Sequence, residues 1–153
     1  MARRVRRSVR PPHRRRPPRR LDLRRCRRPA DHPGLVTYDE VAKGRIDHAI
    51  RVTVPSTQNR YVWPARHAAS DDSNPALPPM GLRLRLRRDA DLSGLAPQAR
   101  VVAQAMQTYG VIVADNGSAW YLSGTPDERW DNDDLQTLAT LSGADFEAVA
   151  YNK

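Results

Sequence analysis

The sequence predicts one small α+β domain over residues 34–153: a mainly antiparallel sheet, a long helix near residues 97–109 and one or two short helices, behind a disordered basic tail at residues 1–33. Three observations carry that expectation. Apolar and polar residues alternate through RIDHAIRVTV (45–54) and GLRLRLRR (81–88), the period of a half-buried strand. Behind Pro97, residues Val101, Val102, Ala105, Met106 and Tyr109 recur at helical spacing. Asn116-Gly117 sits between VIVAD and SAWYLSG, and a two-residue hairpin turn wants residues that accept positive φ at both central places.

Taken in chain order, Thr37 and Glu40 have capping-box spacing and Gly44 is placed to end a helix, so a short helix is expected at 38–43. The next strand puts Ile46, His48, Ile50, Val52 and Val54 on one side, with Asp47, Ala49, Arg51 and Thr53 on the other, and Pro55 ends it. Tyr61-Val62-Trp63 is aromatic and β-branched and reads as a short strand stopped by Pro64. AASDDSNPALPPM (68–80) is a loop. In the following strand Leu82, Leu84 and Leu86 face one way and Arg83, Arg85 and Arg87 the other; a charged outer face or a blunted sheet edge explains such an arginine row, and a ligand-binding face competes. Pro97 suits a first helical position, and Gly110 closes that helix. Strands 111–115 and 118–123 should then pair through Asn116-Gly117. Asp131-Asn132-Asp133-Asp134 puts carboxylates at the positive end of a helix whose Leu135, Leu138 and Leu141 turn inward. A strand at 145–150 ends the series.

Charge separates the chain in two. Residues 1–33 hold 14 Arg and two acids, net +12, whereas residues 34–153 are net −3. Like charges, prolines and scarce apolar residues leave the tail nothing to offset the entropy of ordering. Three readings fit it: a misassigned start or reading frame in GC-rich DNA, an inert solvated tail, or an arm that binds polyanions such as nucleic acid by neutralising phosphates. A transit peptide is opposed by the prolines. The foldable part has no basic excess with which to attract nucleic acid. No stretch approaches the ~18 apolar residues of a membrane span. The Arg-rich opening is not followed by the apolar stretch an export or twin-arginine signal requires, which read by itself leaves the chain cytoplasmic. The single Cys26 allows neither an internal disulfide nor a multi-cysteine metal site.

Several residues could do chemistry, although none has diagnostic spacing. His48 lies on the apolar side of its strand, where an imidazole is ordinarily hydrogen-bonded to a backbone group or a carboxylate. His67 follows Arg66 just after a strand end and ahead of a long loop, a better place for function. An acid/base pair of His67 and Asp115 is chemically allowed, and so is a metal site from His48, His67 and a carboxylate, but neither geometry follows from spacing. The Asp131–Asp134 run lacks the calcium-loop pattern and is explained by helix capping. Trp63, Trp120, Tyr121 and Trp130 could stack on sugar rings; in a domain with one Phe, Trp63 and Trp120 also suit the core. Phosphate-loop, G-x-S-x-G and H-E-x-x-H patterns are missing, so no cofactor and no metal are implied and catalysis is the weaker expectation.

Five segments, GLVTYDEVAKGRIDHAI, TQNRYVWPARHAAS, LPPMGLRLRL, QARVVAQAMQTYGVIVADNGSAWYLSG and DERWDNDDL, together resemble the C-terminal half of an uncharacterised family of exported bacterial proteins. The resemblance runs from about Gly34 to Val149 and omits the tail, as if this were a truncated copy of a larger protein behind an unrelated start. It implies an extracellular or cell-envelope protein of mostly β structure, a sandwich being one form, that binds or acts on glycans. The recurring positions it implies include Glu40, His48, Trp63, Arg66, His67, Asp115 and Trp130. The resulting expectation is a glycan- or surface-binding domain using His48, Trp63, Arg66 and Trp130, with polysaccharide or an envelope component as partner. The alternatives are a hydrolase with His67 and Asp115 as acid/base, and polyanion binding through the arginine tail.

Overall fold

The computed structural model describes residues 34–149. The disorder and polyanion binding expected of residues 1–33 fall outside the described residues, as does the last residue of the strand expected at 145–150. The described elements are α1 (Tyr38–Ala42), β1 (Ile50–Val54), β2 (Arg83–Leu86), α2 (Pro97–Thr108), β3 (Val111–Asn116), α3 (Asn132–Gln136) and β4 (Phe146–Ala148). Short 3₁₀ turns at Thr137–Thr140 and Gly143–Asp145 link α3 to β4.

The strands form one sheet in the order β1-β3-β2-β4. The fold is α+β, but the sheet is mixed rather than mainly antiparallel: β1 and β3 run parallel, while β2 pairs antiparallel with β3 and β4. Alternation reports that one face of a strand is wet; it carries no information on the direction of the neighbour. The described residues contain this single sheet and not the two packed layers of a sandwich. The helix expected to be long is also corrected, since α2 has twelve residues, about three turns, and α1 and α3 have five each.

Beneath the sheet, α2 presents Ala99, Val102, Ala103 and Met106 to a core containing Ile50, Val52, Leu86, Val111 and Val113. Alanines let the helix approach closely, and each fully buried Val, Ile or Leu contributes roughly 1.5–3 kcal/mol. That core is aliphatic. Trp63 is 60% exposed and Trp120 37%, so neither belongs to it; Trp120 instead stacks on Phe146 at 4.5 Å between ring centroids.

The hairpin expected at Asn116-Gly117 does not form. Gly117 N–H donates to Val54 O, the chain crosses the end of β1, and Trp120, Tyr121 and Ser123 bond to the backbone of Thr53 and Arg51 on the outer edge of β1. Positive φ falls at Trp120, at 56°, where the chain turns. The reason is topological: β1 and β2 already occupy both edges of β3, so the returning segment finds its hydrogen-bond partners on the outer edge of β1.

Two further strands contract. The alternating segment 45–54 is a strand only from Ile50, with Ile46 buried ahead of it. Tyr61-Val62-Trp63 makes one bridge, Tyr61 to Met80, before a turn closed by Ala65 N–H on Val62 O that contains a cis Trp63–Pro64 peptide. Proline has no N–H with which to extend that ladder. The helix expected to carry Leu135, Leu138 and Leu141 starts at Asn132 and tightens into the 3₁₀ turn at Thr137. Leu135, Leu138 and Leu141 do pack on the core.

Candidate functional site

On the sheet face opposite α2, pairing aligns Arg51 of β1, Ile112 of β3 and Arg83 of β2 in one cross-strand row. This row and the turn at residues 62–67 border an open cavity of about 550 Å³, within the ~300–1,000 Å³ common for small-ligand sites. His48, Trp63, Arg66 and His67 all line it, together with Gly81, Met80 and Ala114.

Each side chain has a traceable cause for its position. His48 is held by α1: the Glu40 carboxylate accepts from Thr37 through Oε2, closing the capping box, and its Oε1 lies 3.1 Å from His48 Nε2. The other ring nitrogen, Nδ1, lies 2.9 Å from Ala49 O. Both nitrogens therefore face acceptors, and a neutral ring can donate to only one of them. Thr37, Glu40 and His48 fix the cavity wall to the helix end.

The 62–65 turn is seated on Gly81, whose φ is +82°. A Cβ there would collide with Val62 O and press on Ala65, so the turn reaches the sheet only because this position lacks a side chain. On the turn, the Arg66 guanidinium lies 4.6 Å from the Trp63 ring centroid, a cation–π arrangement that holds two exposed side chains as a unit. His67 follows on the exposed rim. The loop beyond is tied to β3 by Asn116 Nδ2, which donates to Ala69 O.

Asp115 and Trp130 lie elsewhere. Asp115 does not line the cavity; it is exposed, and its carboxylate accepts from Asn116 N–H at 2.8 Å. Trp130 meets Tyr38 edge to face at 5.4 Å and donates from Nε1 to Thr125 O, so its polar group is already used in packing. Arg129 stacks over Tyr38 at 4.2 Å and bonds to Asp127 and Asp39. Its guanidinium holds the Asp127 carboxyl down to about 2. Trp130 also lines a second hollow of about 710 Å³ with Trp120, Leu122 and Leu138, which is mostly apolar and gathers none of the histidines or arginines of the first.

Arg51 and Gly81 were not singled out as site residues by sequence reasoning, and Arg83 entered only as one of an arginine row better explained by a charged outer face. The alternation does put both arginines on wet faces, yet only the strand order makes them neighbours across β3. Among the described residues no cluster of His, Cys, Asp and Glu could hold a metal ion, and no helix is long and apolar enough to cross a membrane. No family model matches the chain, and no curated protein or solved structure matches it either.

Proposed function

We propose that this domain is a binding module that takes a saccharide, or the end of a glycan, into the cavity between the 62–67 turn and the Arg51-Ile112-Arg83 row. The observation that carries the reading is convergence: His48, Trp63, Arg66 and His67, from a strand approach and a turn, line one concave site beside an indole that is 60% exposed. An exposed indole held by a guanidinium offers the flat apolar surface on which sugar C–H groups pack, and the polar side chains around it are suited to hydroxyls.

Binding is favoured over catalysis by the surroundings of His67. The hydrolase alternative needs Asp115 beside it, and Asp115 does not line the cavity. Glu40, the carboxylate beside His48, is already committed to Thr37 and His48. The resemblance to exported proteins supports an extracellular or cell-envelope setting for such a module, with polysaccharide as partner; cell fractionation tests that part separately.

A glycan array probed with the full chain and with Trp63→Ala tests the reading. We expect retention on a subset of glycans that falls at least tenfold in Trp63→Ala and is unchanged in Trp130→Ala. No retained glycan, or the same pattern in Trp63→Ala, overturns it.

A further inference from the structure

We infer that the ligand of this cavity is anionic, a saccharide bearing a carboxylate, sulfate or phosphate group, and that Arg51 and Arg83 hold that group above Ile112. The inference rests on the reading of the cavity as a saccharide site and adds the charge class of the ligand.

The first argument is the local charge balance. Residues 34–153 carry net −3, yet the cavity lining contains Arg51, Arg66, Arg83, His48 and His67 and neither Asp nor Glu. Four arginines elsewhere in the fold are matched with carboxylates, Arg85 with Glu147 at 2.6 Å, Arg87 with Asp89, Arg45 with Asp47, and Arg129 with Asp127 and Asp39, while Arg100 donates to backbone carbonyls and Arg60 and Arg88 have no carboxylate partner among the described residues; only at the cavity do three arginines without such a partner share one site. Among the described residues the guanidinium groups of Arg51, Arg66 and Arg83 donate to no protein acceptor and pair with no carboxylate. The contrast is sharpest within β2, where Arg85 has a partner on β4 and Arg83, two residues earlier on the same face, has none.

The second argument is spacing. Strands lie ~4.8 Å apart, so Arg51 and Arg83, one strand to either side of Ile112, start about 10 Å from each other at the backbone. Two long side chains can close that distance over a central Ile, and two guanidinium groups brought within a Debye length of ~8–10 Å repel each other unless an anion joins them. Guanidinium groups offer paired N–H donors whose geometry fits carboxylate, sulfate and phosphate oxygens. His48 faces the Glu40 carboxylate, and Arg66 is engaged with Trp63. The β-sheet pair is therefore the anion seat and the turn is the sugar platform.

The test uses the whole 153-residue chain, so that any contribution of residues 1–33 is common to every variant. Calorimetric titrations compare digalacturonate, its uncharged methyl ester, a sulfated disaccharide and inorganic sulfate alone. We expect digalacturonate or the sulfated disaccharide to bind at least tenfold more tightly than the ester. That preference should vanish in Arg51→Gln and Arg83→Gln, persist in part in Arg83→Lys, and survive in Arg85→Gln, whose side chain belongs to the Glu147 pair. Preference for digalacturonate assigns a carboxylate, and preference for the sulfated sugar a tetrahedral anion. Equal binding of ester and acid overturns the anionic class while leaving the saccharide reading in place. Arginine-dependent binding of sulfate with no saccharide bound does the opposite: the anion seat stands and the saccharide reading falls. Acid-over-ester preference unchanged in both glutamine variants assigns the charge recognition elsewhere and overturns the seat. Circular dichroism identifies an unfolded glutamine variant, in which case the folded Arg83→Lys protein decides, and an undiminished preference there overturns the paired guanidinium geometry.

Discussion

Asp134 caps a helix to which it does not belong: its carboxylate accepts from the backbone N–H of Ala99 at 2.9 Å and of Gln98 at 3.0 Å, in the first turn of α2. The residue at the N-cap of α2 is Ala96, which has no side chain able to do this. The exchange is mutual, because Gln98 Oε1 accepts from Asp131 N–H at the start of α3, and Thr137 Oγ1 accepts from Ala96 N–H. Two helix ends are satisfied by each other, and α3 is thereby fastened to the helix that supports the sheet.

Asp134→Ala should accordingly destabilise the domain by about 1–2 kcal/mol, the upper range for loss of a helix cap. Asp131→Ala removes only the cap that Asp131 gives to Asp134 N–H in α3 and should cost less, about 0.5–1 kcal/mol. Urea denaturation of both variants checks the order, and equal losses would contradict the shared cap.

Gly81→Ala should lower stability by about 1–3 kcal/mol, since it puts a side chain at φ +82° and drives a Cβ toward Val62 O. The same change should displace the Trp63–Arg66 pair. A thermal melt reads the first effect; a shift in Trp63 emission, isolated by comparison with Trp63→Phe, reads the second.

The Arg129 pairs should stabilise the fold in a pH-dependent way. Hydrogen bonding from Arg129 holds Asp127 at about 2 in the folded protein, below the ordinary 3.8 that it recovers on unfolding. The unfolded state thus takes up the proton first as pH falls, so this contribution is complete above about pH 4 and is lost as pH approaches about 2. Asp89, beside Arg87, and Asp145, which accepts from Ser142 N–H, are shifted in the same direction. The stability difference between wild type and Arg129→Ala should be present at pH 7 and shrink toward pH 2; a difference independent of pH would refute the assignment.

Thr57 is fully buried, and its hydroxyl has no hydrogen-bond partner among the described residues. Burying a hydroxyl unpaired is unfavourable, and valine has nearly the same shape. Thr57→Val should therefore stabilise the domain by about 1 kcal/mol. A loss of stability in equilibrium denaturation would mean that the hydroxyl is satisfied.

By itself the sequence determined what depends on neighbours along the chain. The Thr37–Glu40 capping box, Gly44 at positive φ, the helix opened by Pro97, the carboxylate cap at Asp131 and the leucine and arginine alternation of β2 are all consequences of local sterics, capping and periodicity. Residue type, place in the chain and the family resemblance named His48, Trp63, Arg66 and Trp130 as binding candidates and His67 and Asp115 as an acid/base pair, without grouping them in space. Tertiary structure decided everything that depends on which edge meets which. β3 takes β1 as a parallel neighbour, so Asn116-Gly117 cannot form a hairpin and the following segment crosses to the far edge of β1. The same strand order brings Arg51 and Arg83, 32 positions apart in the sequence, to either side of Ile112. Side-chain alternation has a period of two whichever way the neighbouring strand runs, so direction and partner are chosen by packing over the whole domain.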